Sequence, residues 1–221
     1  MAGRLNAMSL KALGQQKPSF GRGRTRLAIA VVFMLPVLFF AVLSPGLVSA
    51  QDLAQIKKGV VKITARGEGQ QPKVGTGVVV RTEQEAAYII TAAHVIEGDP
   101  KPTVTFFLNP EQPLVAQVVG IEGGDPQGLA ALRVAGPIPD GVVALPLDLT
   151  TKVAGGEALT FIGFPRTLPP WTVSTGTISG LKGPTLAFQA LIEEGHSGGP
   201  LLLNGQVIGI VSETRDRFGY A

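Results

Sequence analysis

The chain has no cysteine. That absence excludes disulfides, cysteine-based zinc sites, a thiol nucleophile and lipid attachment through a cysteine. Charge is also scarce, with 16% Asp, Glu, Lys and Arg against 45% apolar residues in a chain of 221. A domain of this size can build a sizeable core, and without disulfides it depends on that core. Acidic residues are missing from the first 50 positions, which carry six basic ones: Arg4, Lys11, Lys17, Arg22, Arg24 and Arg26. Residues 51–221 hold 13 Lys and Arg against 16 Asp and Glu, a balance of −3. The formal charge of +3 on the whole chain therefore belongs to the N-terminal segment. It offers no basic face for nucleic acid on the folded part, and no nucleic-acid partner is expected.

The N-terminal segment has an order of its own. Basic residues end at Arg26, an apolar run covers Leu27 to Leu43, and Ser44-Pro45-Gly46 and Val48-Ser49-Ala50 follow. Small residues at the last and third-last positions suit signal peptidase, with cleavage after Ala50. The alternative is an uncleaved anchor through residues 27–50, since 24 residues can span a bilayer as a helix. The basic flank would then stay in the cytoplasm. Either reading exports residues 51–221, to a periplasmic, secreted or membrane-anchored location outside the cytoplasm.

From Gly59 onward, short runs rich in Val, Ile and Thr alternate with Gly, Pro, Asn and Asp. Gly59–Ala65, Gly77–Arg81, Ala87–Thr91, Thr103–Leu108, Leu114–Ile121 and Leu129–Val134 form a first set. Ala158–Phe161, Thr172–Ile178, Thr185–Ala190, Pro200–Leu203 and Val207–Val211 form a second. The pattern predicts an all-β barrel or sandwich. Helix is expected only near Asp52–Lys58 and just after His94. Gly136-Pro137-Ile138-Pro139-Asp140-Gly141 reads as a linker between two halves.

Only two histidines occur, and each sits beside a motif. His94 ends the run Ala87-Tyr88-Ile89-Ile90-Thr91-Ala92-Ala93, where a strand would hold it rigidly. A general base needs that precision to stay within reach of the proton it removes. The second motif is Gly195-His196-Ser197-Gly198-Gly199-Pro200. A serine hydroxyl is a weak nucleophile unless a base takes its proton. Glycines around it permit a tight turn whose N–H groups converge on a developing oxyanion.

These motifs resemble the trypsin-like serine peptidases, and within them the bacterial HtrA (Deg) group. Gly75-Thr76-Gly77-Val78-Val79-Val80 resembles the strand before the base, Thr91–His94 the base motif, and Phe161–Pro165 and Thr172–Ser179 two later strands. The resemblance implies two six-stranded antiparallel β-barrels, about 54–136 and 142–221, with the site in the cleft between them. It implies His94 as base, Ser197 as nucleophile, and the N–H groups of Gly195 and Ser197 as oxyanion hole. It also implies a substrate pocket at Leu191, Ser212 and Thr214. No acid stands at Leu191, so the residue before the scissile bond is expected to be small or aliphatic. Substrates would be proteins or peptides, no cofactor or metal is expected, and a homo-oligomer is compatible with the sequence. The chain ends ten residues after Val211, so no PDZ module of the HtrA type is expected.

One departure stands out. The family's third catalytic residue begins a strand that here reads Gly128-Leu129-Ala130-Ala131-Leu132-Arg133-Val134. Glycine replaces the carboxylate. Asp125 either serves the turn before Pro126 or reaches His94 as a displaced third member, and Glu122 is a weaker substitute. Losing a triad carboxylate costs on the order of 10⁴ in kcat and leaves residual catalysis. The sequence thus fits a full enzyme, a slow dyad enzyme, or a pseudo-protease that binds peptides or proteins. His196 and the pair Glu193-Glu194 also depart from the group's pattern. The acidic pair is either a solvated loop or an altered oxyanion loop.

Overall fold

The computed structural model describes residues 50–67, 69, 71–125, 127–215 and 218–221. The basic and apolar N-terminal segment, with its expected anchor, lies outside them. Ala50, the last residue before the expected cleavage point, opens helix α1 (Ala50–Lys57). Among the described residues no helix is long and apolar enough to cross a membrane.

Six strands close the first barrel: β1 (Val60–Ala65), β2 (Lys73–Glu83), β3 (Ala86–Ala92), β4 (Thr103–Phe106), β5 (Asn109–Ile121) and β6 (Leu129–Ala135). Their order around the barrel is β1-β2-β3-β6-β5-β4. Alternation along the strands sends Val61, Ile63, Val79, Ile89, Phe106, Leu132 and Val134 inward as one buried cluster. Each such side chain contributes about 1.5–3 kcal/mol by leaving water. The helical turn α2 (Ala93–Ile96) follows β3 directly.

The second unit contains β7 (Ala158–Gly163), β8 (Thr172–Lys182), β9 (Thr185–Ala190), β10 (Pro200–Leu203), β11 (Gln206–Ile210), β12 (Glu213–Arg215) and β13 (Phe218–Tyr220). These make a curled half-barrel of seven strands in the order β11-β10-β7-β8-β9-β13-β12. The two-barrel, almost helix-free architecture is the one expected, with seven strands rather than six in the second half. The count reaches seven because β12 and β13 form a short hairpin that adds to β9 through Phe218↔Gln189 and Tyr220↔Ala187. Gly219 makes this docking feasible, since a Cβ there would run into the Phe188 ring and Ile192.

The Gly136–Gly141 segment is followed by more chain without strands, and this chain is not loose. Ile138 and Val142 pack on the first barrel's core. Leu145 is buried in a second cluster with Val60, Val78, Ile162, Phe164, Trp171 and Leu202, drawn from both halves. Trp171 is the centre of that seam. Its Nε1–H donates to the Val60 carbonyl at 2.8 Å. Its ring meets Phe107 edge-on at 5.3 Å and Phe164 at 4.7 Å. Its φ of 54° is uncommon for a bulky residue and is held by these contacts.

Candidate active site

His94 is mounted by its neighbours. In the four-residue turn α2, Ala93, Val95 and Ile96 are buried, so His94 alone is left on the open side. The Ala93 N–H donates to the Gly128 carbonyl at 2.8 Å, tying the turn to the start of β6. Ser197 comes from the other half, on the loop between β9 and β10. Its carbonyl accepts from the Thr76 N–H of β2 at 2.8 Å. The same carbonyl and the Val95 side chain both lie against the Cα of Gly75, where a Cβ would overlap Val95. The backbone of Ser197 and the turn carrying His94 thus meet across Gly75.

Two buried threonines lock this junction. Thr91 Oγ1 donates to the Thr76 carbonyl at 2.6 Å, and Thr76 Oγ1 donates to the Gly195 carbonyl at 2.7 Å. On the opposite flank the Gly198 N–H donates to the Val211 carbonyl at 2.6 Å, and the Val211 N–H returns to Gly199 at 2.9 Å. The serine loop is therefore held from both barrels.

Two glycines in the loop are sterically required. Gly195 has φ 101° and Gly198 φ 85°. A Cβ on Gly195 would collide with the Phe164 carbonyl, and one on Gly198 with the Thr76 carbonyl and Thr91 Oγ1. The Glu194 carbonyl accepts from the Arg166 N–H at 3.1 Å. In a trans peptide the next N–H, that of Gly195, points the opposite way. Among the described residues no protein acceptor engages the N–H of Gly195 or Ser197. Both N–H groups are thus unengaged by the described residues.

At Gly128, whose carbonyl holds the turn of His94, there is no room for a side chain. A Cβ on Gly128 would run into the Glu122 carbonyl and lie 3.0 Å from that of Asp125. His94 instead borders a cleft of about 260 Å³ whose rim includes Asp125, Glu97 and Gly124. Asp125 Oδ1 accepts from the Gln127 N–H at 2.9 Å, which is turn chemistry, while its residue still borders the cleft of His94. Glu122 turns its Oε2 to the Leu129 N–H at 2.9 Å. Glu97 was invisible to motif reasoning, because it lies one helical turn after His94 in a stretch with no signature.

His196 is 1% exposed beneath the loop, with its ring edge-on to Phe161 at 5.0 Å. The Glu193 N–H approaches Nδ1 at 3.0 Å, and the Glu193 carbonyl already accepts from the His196 N–H at 3.2 Å. Nδ1 also lies 3.1 Å from the Glu193 carbonyl, so it accepts from the N–H or donates to the carbonyl according to the tautomer, and in either case Nε2 has no partner among the described residues. Burial lowers the pKa of His196, opposed in part by the backbone and charge of Glu193. Glu193 and Glu194 are not merely solvated. Thr167 Oγ1 donates to Glu193 at 2.6 Å, and Arg166 pairs with Glu194 at 3.4 Å.

Of the expected pocket residues, Ser212 is buried, Thr214 lies in β12, and Leu191 is 69% exposed just after β9. Any floor formed by Leu191 stays open to water until a substrate covers it. Among the described residues no group of three or more His, Asp or Glu is placed to hold a metal.

Two β-barrel halves with a glycine-framed serine loop from one against a histidine-bearing turn from the other define a trypsin-like fold. Residues 75–210 match the trypsin-like peptidase domain, and the chain belongs to that family. It is 34% identical over 152 residues to the serine protease Do-like HtrB of Bacillus subtilis, covering 62% of this chain and 32% of that protein. It is 30% identical over 197 residues to the Do-like HtrA of the same organism, covering 77% and 40%. The chain thus spans well under half the length of these curated relatives. Among solved structures, the serine endoprotease from Yersinia pestis superposes with TM-score 0.63 at 25% identity, over 77% of this chain and 60% of that one. The active form of the Rv3671c protease from M. tuberculosis also gives 0.63, at 28% identity, over 76% and 77%.

Proposed function

We propose that this chain is an extracytoplasmic serine endopeptidase that cleaves proteins or peptides through an acyl-enzyme on Ser197. His94 takes the Ser197 Oγ proton as Oγ attacks the scissile carbonyl. The N–H groups of Gly195 and Ser197 receive the oxyanion. His94 then passes the proton to the leaving amine, and water, activated by the same base, releases the acyl group. The observation that carries this reading is the paired engagement of the serine loop by Thr76 and Val211, with both oxyanion donors unspent. Because Gly128 supplies no carboxylate, the centre is a dyad, and Asp125 is the candidate displaced third member, bordering the cleft of His94. Residues 1–50 would be the leader or anchor and 51–221 the peptidase domain. Leu191, Ser212 and Thr214 would favour Val, Ala or Leu before the scissile bond.

A second reading is favoured by Gly128: a pseudo-protease that binds peptides without cutting them. A fluorophosphonate probe separates the two. The peptidase reading expects labelling of wild type, none of Ser197→Ala, and casein hydrolysis that follows the labelling. Wild type that neither labels nor cuts would leave the binding reading. Mass spectrometry of membrane and soluble fractions would give the mature N-terminus, at Gln51 or with the anchor intact.

A further inference from the structure

The serine loop has a second neighbour besides the strand at Val211. The bond from Arg166 N–H to the Glu194 carbonyl sets the segment after β7 on the loop's other flank. There a cleft of about 760 Å³ opens, bordered by Gly195 itself and by Lys62, Lys73, Val74, Arg166 and Glu194. The half of a substrate before the scissile bond is assigned to the side of Ser212 and Thr214. The half after it then leaves through this cleft.

The cleft's charge is opposite to that of the domain around it. Residues 51–221 carry a balance of −3, yet three cations and one carboxylate border the cleft. That carboxylate, Glu194, is held by Arg166 at 3.4 Å, in a pair exposed on both sides. Among the described residues Lys62 and Lys73 form no ion pair. Two ammonium groups, unpaired among the described residues and in the cleft that Gly195 borders, call for a carboxylate that no described residue supplies. We propose that Lys62, Lys73 and Arg166 select substrates with acidic residues immediately after the scissile bond. This rests on the peptidase reading above and adds to it the charge of the departing segment.

Exposed ion pairs are individually weak, so two or three together give about a tenfold preference, and salt erodes it. The test uses the full chain and quenched peptides sharing Val before the scissile bond, with three Glu, three Ala or three Lys after it. The expected order of kcat/KM is Glu, Ala, Lys, with about tenfold between Glu and Ala, converging as salt shortens the Debye length to about 3 Å. Lys62→Glu with Lys73→Glu should invert the order. Lys62→Gln with Lys73→Gln, which places no new charge in the cleft, should flatten it. Equal rates for the three peptides in wild type, or an order unmoved by charge reversal, would overturn the proposal. The same comparison on Ser197→Ala, read as peptide affinity by fluorescence anisotropy, does not depend on turnover. Cutting without charge preference leaves the peptidase and removes this selectivity. Charge-selective binding by a chain that never cuts does the reverse.

Discussion

His196 sits beside Ser197 with a buried ring and a nitrogen that finds no partner among the described residues. A buried polar atom without a partner costs about 1–3 kcal/mol, so this residue spends stability where the loop is shaped. Its burial also makes the loop sensitive to acid. The folded pKa lies below the ordinary 6.5, so below that value the unfolded chain binds the proton more readily than the folded one. Its contribution is intact above pH 6.5 and is lost as pH falls from there toward the lowered folded value. Protonation makes Nδ1 a donor to the Glu193 carbonyl at 3.1 Å, a partial offset, but leaves a charged ring buried. We therefore expect the melting temperature of wild type to drop between about pH 7 and pH 5 more than that of His196→Asn, which cannot titrate. Parallel melting curves across that range for the two proteins would refute the assignment.

At the scale of elements, the segment from Glu122 to Gly128 is where the proposed dyad and a displaced triad part ways. Restoring the usual acid looks attractive on sequence grounds, but a side chain at Gly128 meets the Glu122 carbonyl. Gly128→Asp should therefore lose about 1–3 kcal/mol in urea unfolding and gain no activity, because the loop must shift to admit it. Asp125→Ala should lower kcat by less than about tenfold, since its Oδ1 is engaged in its own turn. A fall approaching about 10⁴ would instead make Asp125 the orienting partner of His94. Much of the element structure could be read beforehand. Ala87–Thr91 falls within β3 and Leu129–Val134 within β6, because β-rich runs bounded by turn residues report strands. The start of β5 could not. Pro110 and Pro113 argue against a strand, yet a register shift between Val104 and Phe106 keeps both out of the ladder. The three-residue strands β12 and β13 are too short to show any period. In the site, the histidine and serine motifs were legible. The bonds joining them were not, for Thr76 and Gly195 are 119 residues apart in the chain.

For the whole molecule, the seam between the halves matters as much as either core, because the proposed catalytic groups come from opposite sides of it. Trp171 joins Val60 and Phe107 of one half to Phe164 of the other. Trp171→Phe keeps an aromatic ring and leaves the Val60 carbonyl short of its donor, a loss of about 1 kcal/mol. Trp171→Ala opens the seam and should lose about 3–5 kcal/mol in chemical denaturation. If Ala proved no worse than Phe, the seam would owe little to the ring. Trp171 is also the chain's single tryptophan, so every photon of indole emission originates at this joint. Its spectrum in the native protein should be blue-shifted, and parting of the two halves should redden it even while each sheet keeps its circular dichroism. An optical signal specific to the joint, distinct from secondary structure, therefore comes with the natural sequence and needs no label.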